Sequence, residues 1–116
     1  MSFATDPLTS VLHSALDGLA LRQSVIADNI ANVDTPGFRA TSVDFESSLQ
    51  AAIADGSIVN GRVTAQALPT DTPVGENGNN VDLRKETLGA MQSQFQYQMV
   101  TRAVSDHFDL IKQVAQ

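Results

Sequence analysis

The stretch Ile26-Ala27-Asp28-Asn29-Ile30-Ala31-Asn32-Val33-Asp34-Thr35-Pro36-Gly37-Phe38-Arg39 marks the end of a long helix and the turn that follows it. A proline disfavours helical backbone in the residue before it, so Thr35-Pro36 predicts that the helix ends near Asn32. Pro36 presets φ at the second turn position, and Gly37 supplies the positive φ that a type II turn requires at the third. We expect Phe38 to anchor the chain where it leaves this turn.

Upstream of the turn, apolar residues repeat at helical spacing back to a helix start at Asp6-Pro7. Asp6 can cap the first free N–H groups, and proline is tolerated at the first helical position because its missing donor costs nothing there. Arg22 and Asn29 interrupt the apolar stripe. The apolar positions, at steps of three, four or seven, are Leu8, Leu12, Ala15, Leu19, Ile26 and Val33. This pattern predicts a long amphipathic helix over residues 6–32.

Downstream of the turn, the sequence predicts a short helix and then an irregular segment. Thr41 or Ser42 can cap a helix that runs to about Ala54, and Asp55-Gly56 is a typical stop signal. Residues 56–80 are rich in glycine and proline, and Asn60-Gly61 lies between two short apolar pairs. That arrangement predicts a small β-hairpin, with a loop from there to Asn80.

Residues 82–114 contain no proline and predict a second long helix. One apolar row consists of Leu88, Met91, Phe95, Met99, Ala103, Leu110 and Val114, and a second row of Val100, Val104, Phe108 and Ile111. Residues 94–99 alternate like a strand, but the longer helical pattern on both sides outweighs this. We expect the first row to pack on the N-terminal helix and the second row to form an interface with other chains.

The predicted fold is mainly α, with the two long terminal helices packed as an antiparallel coiled-coil-like hairpin. Residues 1–38 and 82–116 would form one inner domain, and residues 39–81 a short helix plus a variable loop or hairpin insertion. Apolar stripes at helical spacing often mean only the core of a helix bundle. Here no third long element is available to cover the outer faces, which favours cover by other copies or other proteins.

Composition and charge exclude several classes of function. The net charge of the 116 residues is −6, and the seven basic residues are scattered, so a nucleic-acid partner is not expected. No apolar run approaches the roughly 20 residues that span a bilayer, so direct membrane insertion is not expected. The N-terminal segment also lacks the pattern of a cleaved signal peptide. We therefore expect export, if it occurs, to use another route.

The sequence also lacks a recognisable catalytic site. The Asp34-Thr35-Pro36-Gly37 segment matches part of a GTPase signature, but no phosphate-binding glycine loop accompanies it. His13 and His107 could meet if the terminal helices are antiparallel, yet two histidines alone do not make a metal site. We predict that the protein is not an enzyme and has no catalytic, metal-binding or cofactor-binding residues.

Residues 26–39 resemble the N-terminal signature of the axial proteins of the bacterial flagellum, in which an I-A-x-N-I-A-N helix runs into a T-P-G-[FY] turn. Within that superfamily, Asn80-Val81-Asp82-Leu83 and Phe95-Gln96-Tyr97-Gln98-Met99-Val100-Thr101-Arg102, with Phe108 following, are similar to the proximal rod subunits. The resemblance implies assembly or structural roles for Asn29, Asn32, Thr35, Pro36, Gly37, Phe38, Gln96, Tyr97, Gln98 and Arg102.

The resemblance implies a structural subunit of the basal-body rod that polymerises through its terminal helices into a drive shaft. The implied partners are other copies of the chain, other rod proteins, and the adaptor proteins of the membrane ring and export gate. The implied location is the periplasmic rod, reached through the flagellar type III apparatus without a cleaved signal peptide. The alternatives are a cytosolic helical adaptor or chaperone of the same secretion system and, third, a small enzyme.

Overall fold

In the computed structural model, which describes residues 6–115, the protein is an elongated helical molecule with principal extents of 62 × 27 × 15 Å. Two long helices, one towards each end of the chain, flank in sequence a short helix, a 3-10 helix and two short strands. In chain order the elements are α1 (Pro7–Ala31), β1 (Thr41–Val43), α2 (Phe45–Ala54), a 3-10 helix (Ser57–Asn60), β2 (Ala67–Pro69) and α3 (Leu83–Ala115).

Helix α1 begins and ends where the sequence predicts. The Asp6 carboxylate accepts a hydrogen bond from the Leu8 amide at 3.1 Å, which satisfies one of the N–H groups left free at the helix start. Pro7 occupies the first helical position, and Asn32 is the C-terminal cap. The predicted helix over residues 6–32 is therefore confirmed.

The turn after α1 also has the predicted geometry. The Phe38 amide donates to the Thr35 carbonyl at 3.2 Å, which closes a four-residue turn. Gly37 has φ of 76°, a value that side-chain-bearing residues rarely adopt. The combination of Pro36 at the second position and a positive φ at the third is that of a type II turn.

The middle of the chain differs from the prediction in two ways. Thr41 and Ser42 do not cap α2; they belong to β1, and the cap is Asp44, whose carboxylate accepts from the Ser47 amide at 3.1 Å. The predicted hairpin around Asn60-Gly61 is wrong, because Ser57–Asn60 forms a 3-10 helix that buries Ile58.

The strand that pairs with β1 is β2, in antiparallel register with Thr41 opposite Pro69 and Val43 opposite Ala67. Proline is tolerated here because β2 is an edge strand. The observed sheet thus joins residues far apart in sequence, whereas the predicted hairpin would have joined neighbours. Local turn chemistry could not reveal this pairing.

Helices α1 and α3 lie side by side and run in opposite directions. Near the start of α1, the Thr9 hydroxyl lies 3.2 Å from His107 Nε2, close to the end of α3. Near the end of α1, the side chain of Ile26 lies next to Gly89, close to the start of α3. The fold is therefore mainly helical with a small two-stranded sheet, as far as residues 6–115 describe it.

The face of α3 that meets α1 is not the one that the sequence predicted. Six members of the first row are more than half exposed: Leu88, Met91, Phe95, Met99, Leu110 and Val114. In contrast, Val100 packs against the core, and Glu86 and Ser93 are buried. The prediction that the first row packs on α1 is wrong. A helix with apolar stripes on opposite sides does not show, from its pattern alone, which stripe faces the partner helix.

The predicted interface row Val100, Val104, Phe108 and Ile111 is partly buried, and Val100 and Phe108 make contacts that face α1. Contact of these four residues with another chain stays a prediction for the part of each side chain that remains exposed.

The hydrophobic core itself is small. It consists of Leu19, Val43 and Phe45, so it joins α1 to the middle segment as well as to α3.

Phe45 packs directly over Gly18 of α1. A Cβ atom at position 18 would lie 2.2 Å from Phe45 Cγ, which is far inside van der Waals contact. The glycine therefore creates the space in which the aromatic ring sits, and α2 is held close to α1.

Within residues 6–115, no helix is both long and apolar enough to cross a membrane.

Candidate functional site

Asn29 connects α1 to β1 through both groups of its side-chain amide. Its Nδ2 donates to the Thr41 carbonyl at 2.8 Å, and its Oδ1 accepts from the Thr41 amide at 3.3 Å. The residue is fully buried at 0% exposure. Both the backbone N–H and the backbone carbonyl of Thr41 are therefore hydrogen-bonded to the Asn29 side chain. Asn29 pairs with the edge of β1 much as a neighbouring strand would.

Asn79 holds the end of α1 and the turn together. Its Nδ2 donates to the carbonyls of Asn32 and Thr35, at 2.8 and 2.7 Å. These carbonyls belong to the end of the helix and to the first residue of the turn, where backbone acceptors lack partners inside the helix. The Gly37 amide donates to the Asn77 carbonyl at 2.9 Å, which adds a second link between the same two segments.

Asn80 ties the chain after the turn to the segment that enters α3. Its Oδ1 accepts from the Ala40 amide at 2.6 Å, and its Nδ2 donates to the Thr72 carbonyl at 3.2 Å. The backbone N–H of Asn80 also donates to the Phe38 carbonyl at 3.3 Å. Asn29, Asn79 and Asn80 are all buried, and we name these three residues the asparagine junction.

The asparagine junction fixes the direction in which the chain leaves α1 and the place where α3 begins. Buried amides are retained only when their donors and acceptors are paired, and each of the three makes at least two hydrogen bonds to backbone or side-chain groups. Such a network specifies one arrangement of the connected segments. Its role is to position structure rather than to perform chemistry.

The structure brings some of the predicted site residues together and separates others. Asn29, Asn32 and Thr35 meet the asparagine junction directly, and Pro36, Gly37 and Phe38 form the adjoining turn. The remaining predicted residues, Gln96, Tyr97, Gln98 and Arg102, are exposed further along α3. They are not part of the junction.

Two of the three junction residues were absent from the predicted site. Asn80 lies within one of the motifs of the family resemblance but is not among the predicted site residues, and no sequence pattern marks Asn79. The adjacent pair Asn79-Asn80 after Gly78, which has φ of 81°, is the signal that was available. Asparagine is common in loops, so this signal does not distinguish a buried amide from an exposed one.

The second feature of interest is an exposed apolar stripe on α3, which we name the outer row: Leu88, Met91, Phe95, Met99 and Leu110. These residues follow helical spacing on one side of α3. Arg102 and Asp106 are exposed at intermediate positions of the same stripe. Buried Glu86 and Ser93 lie on the opposite side, so the outer row points away from α1.

A polar cluster closes the opposite end of the helix pair. His107 Nε2 lies 2.8 Å from Asp6 Oδ2, and the Thr9 hydroxyl contacts both residues. Although desolvation acts to raise it, the pKa of Asp6 lies below its usual value because His107 and the Leu8 amide donate to its carboxylate. The cluster links the start of α1 to the C-terminal part of α3 through hydrogen bonds to the Asp6 carboxylate.

A second ion pair links α1 to α2. Arg22 Nη1 donates to Glu46 Oε2 at 2.9 Å, and Arg22 Nε donates to the Val43 carbonyl at 3.2 Å. The guanidinium also lies 4.9 Å from the centre of the Phe45 ring. The hydrogen bond from Arg22 holds the pKa of Glu46 below its usual value.

The histidine pair and the 34–37 segment, which the sequence offers as candidates for chemistry, take part in structural contacts instead. His13 does not pair with His107; its Nδ1 lies 2.9 Å from Arg62 Nη2. Across residues 6–115, no group of three or more His, Asp or Glu side chains is placed to hold a metal ion. The segment 34–37 forms the turn described above.

Comparison with known proteins agrees with the architecture and the motifs. The family model described as flagella basal body rod protein matches residues 10–39, which cover most of α1 and the turn. The flagellar basal body rod protein FlgB of Borrelia hermsii is 36% identical over 83% of this chain and 86% of its own length. FlgB of Bacillus subtilis is 34% identical over 89% of this chain and 88% of its own length.

FlgB of Escherichia coli K12 is 35% identical over 80% of this chain and 81% of its own length. The similarity therefore extends over most of the chain in all three relatives. This level of identity and coverage confirms the resemblance to the axial proteins of the flagellum. The chain belongs to the FlgB family of flagellar basal body rod proteins, which are structural proteins of the rod and not enzymes.

Proposed function

We propose that the protein is a proximal rod subunit that polymerises through its terminal helices, with the outer row of α3 as the main contact between subunits. The supporting observation is the exposure of five large apolar side chains in one stripe: Leu88, Met91, Phe95, Met99 and Leu110. A soluble monomer seldom presents so many large apolar groups in a row unless another surface covers them. Membership of a rod family supports a neighbouring rod subunit as that surface.

A rod follows from contacts that do not close on themselves. When one patch of each subunit meets a different patch on the next, repetition of the contact produces a helix of subunits. Long helices packed side by side would make such a polymer stiff, as a drive shaft between membrane ring and hook requires. The subunit itself needs only to hold its shape under load.

The domain organisation follows from the same proposal. Residues 1–38 and 82–116 form the inner domain, packed as an antiparallel coiled-coil-like hairpin, and residues 39–81 form the insertion that leans on α1. The asparagine junction then sets the angle between the hairpin and this insertion. The exposed side chains of Gln98 and Arg102 lie three residues after Phe95 and Met99, so they join the outer surface that neighbouring subunits contact.

The proposal extends to partners and location. Other copies of the chain and other rod proteins cover the outer row. The adaptor proteins of the membrane ring and export gate contact the end of the rod that is next to them. The subunit reaches the periplasm through the flagellar type III apparatus. Sequence similarity to exported axial proteins supports this route.

The decisive experiment places a charge in the outer row. Phe95→Asp and Met99→Asp should abolish rod assembly and motility, because burying a large apolar side chain contributes roughly 1.5–3 kcal/mol and a carboxylate cannot replace it. Both residues are exposed in the subunit, at 63% and 57%, so thermal unfolding of the purified protein should change little.

Gln94→Asp is the matched control, since Gln94 is also exposed on α3 but lies outside the outer row. Rods isolated from the control strain should contain the protein at normal levels. Normal rods and motility in both outer-row variants would refute the assignment of the contact surface. Absence of the wild-type chain from purified basal bodies would instead favour the cytosolic adaptor.

A further inference from the structure

Helix α1 has one face that no other element covers within residues 6–115. Ala20, Ser24, Ala27 and Ala31 are all exposed on this face. They follow one another at steps of four, three and four, so they lie in one narrow stripe along the helix. We name these four residues the small row. Because their side chains are short, the stripe leaves room for larger side chains of a facing helix.

The small row matches the outer row of α3 in spacing and length. The outer row between Leu88 and Met99 also advances by three or four residues at each step. Both stretches extend for roughly 16 Å along their helices. Large side chains on one helix fit best where the facing helix carries small ones, since ridges then enter grooves. The two rows are therefore complementary in shape.

The two rows of one chain cannot contact each other. The outer row points away from α1, because buried Glu86 and Ser93 occupy the side of α3 that faces it. Contact between the rows therefore requires two copies of the chain. Such a contact joins two different patches, so each copy still offers a free outer row or a free small row to the next one.

The direction of this contact follows from the polymer. All copies in a helical assembly point the same way along its axis. Within one chain α1 and α3 run in opposite directions, since Thr9 lies beside His107 and Ile26 beside Gly89. When the helices lie along the axis, α3 of one copy is therefore antiparallel to α1 of its neighbour.

Charged residues at the end of each row favour one antiparallel alignment. On α3, Arg102 and Asp106 continue the stripe after residues 88–99. On α1, Asp17 precedes the small row by three residues and forms an ion pair with Arg62 at 3.4 Å, in which both side chains are more than half exposed. An alignment with Arg102 opposite Asp17 brings Asp106 to the level of His13, which Arg62 contacts at 2.9 Å. Opposite signs then face each other at both levels.

We propose that the outer row of one copy packs on the small row of the next copy in this antiparallel alignment. The facing pairs are Arg102–Asp17, Met99–Ala20, Phe95–Ser24 and Leu88–Ala31. Shape and charge select the same alignment, because the charged pair adjoins the apolar pairs without a gap in spacing. The proposal rests on the proposed function and deepens it, since it names the surface that covers the outer row.

Exchange of a large and a small residue tests the alignment in cells that make the full-length chain from an inducible promoter. Met99→Ala removes an interface side chain, and Ala20→Met fills the space opposite it. Each should raise the subunit level needed for half-maximal motility by roughly 10-fold or more. The double variant should recover most of this loss. Both positions are exposed in the subunit, so thermal unfolding should change little.

Met99→Ala combined with Ala31→Met is the matched control, because it places the methionine where a parallel alignment requires it. This variant should not recover. Failure of Met99→Ala with Ala20→Met to improve on the single variants would overturn the alignment. Equal or better recovery by the control, or normal motility in both single variants, would overturn it as well.

Cysteine cross-linking provides a readout that leaves the apolar pairs intact. The chain contains no cysteine, so single substitutions give unambiguous products. Differently tagged Arg102→Cys and Asp17→Cys chains, co-expressed in one cell, should form a mixed dimer when rods are treated with a short thiol-reactive cross-linker. Arg84→Cys should not replace Arg102→Cys, because Arg84 faces Asp17 only in a parallel alignment.

The cross-linking result separates this proposal from the proposed function. If Arg102→Cys gives no mixed dimer while Met99→Asp still abolishes rods, the alignment is wrong and the outer row remains the contact surface. Cross-linking of Arg84→Cys in its place would overturn the antiparallel direction. If Met99→Asp assembles normally, the proposed function fails and the alignment fails with it.

Discussion

The asparagine junction leads to a specific prediction about Asn29. Asn29→Ala removes the amide that pairs with both the carbonyl and the amide of Thr41, at 2.8 and 3.3 Å. Each buried backbone group left without a partner costs about 1–3 kcal/mol, so the two together should lower the free energy of unfolding by roughly 2 kcal/mol or more. That is a large part of the stability of a small domain.

The assay is thermal and urea unfolding of the purified subunit, followed by circular dichroism. A loss of roughly 2 kcal/mol corresponds to a fall in Tm of roughly 8 °C for a chain of this size. Asn29→Asp should be at least as damaging, because it keeps the acceptor but points a negative charge at the Thr41 carbonyl in place of the donor.

Asn60→Asp and Asn60→Ala are the matched controls, since Asn60 is exposed in the 3-10 helix and its side chain makes no hydrogen bond within residues 6–115. Their Tm should remain within a few degrees of the wild type. If Asn29→Ala unfolds no earlier than the Asn60 variants, the amide of Asn29 does not hold β1 to α1, and the positioning role of the asparagine junction is refuted.

Two further predictions concern packing and pH. Gly18→Ala should lower the free energy of unfolding by about 1–3 kcal/mol, because Phe45 must leave its place over α1. Gly89→Ala is the control and should not lower it, because the nearest atom to an added Cβ is 3.5 Å away. Urea titration of both variants measures the difference. The folded-state pKa of Glu46 lies below its ordinary value of 4.5 because Arg22 donates to it, so this stabilisation is complete above that value and is lost as the pH falls through the folded pKa. Glu46→Gln should therefore flatten the loss of stability below pH 4.5 relative to the wild type; an unchanged acid profile would contradict the ion pair.

Features that depend on neighbouring residues could be predicted from the sequence. The Asp6 cap, the first helical position of Pro7 and the positive φ of Gly37 each follow from the chemistry of one or two side chains acting on adjacent backbone. The long second helix was also predicted through residues 94–99 despite their strand-like alternation, because a 33-residue helix contains far more helical than strand-like positions. The resemblance to the flagellar axial proteins is also carried by short local motifs, in residues 26–39, 80–83 and 95–102.

Features that depend on which distant surfaces meet could not. The sequence shows that α3 carries apolar stripes on two sides, and only the packed structure decides that Val100 faces the core while Met99 faces outward. The pairing of β1 with β2 and the convergence of Asn29, Asn79 and Asn80 are likewise decided by tertiary structure. Local preferences act over a few residues, whereas the choice among possible faces and strand partners depends on the total burial and hydrogen bonding of the whole chain.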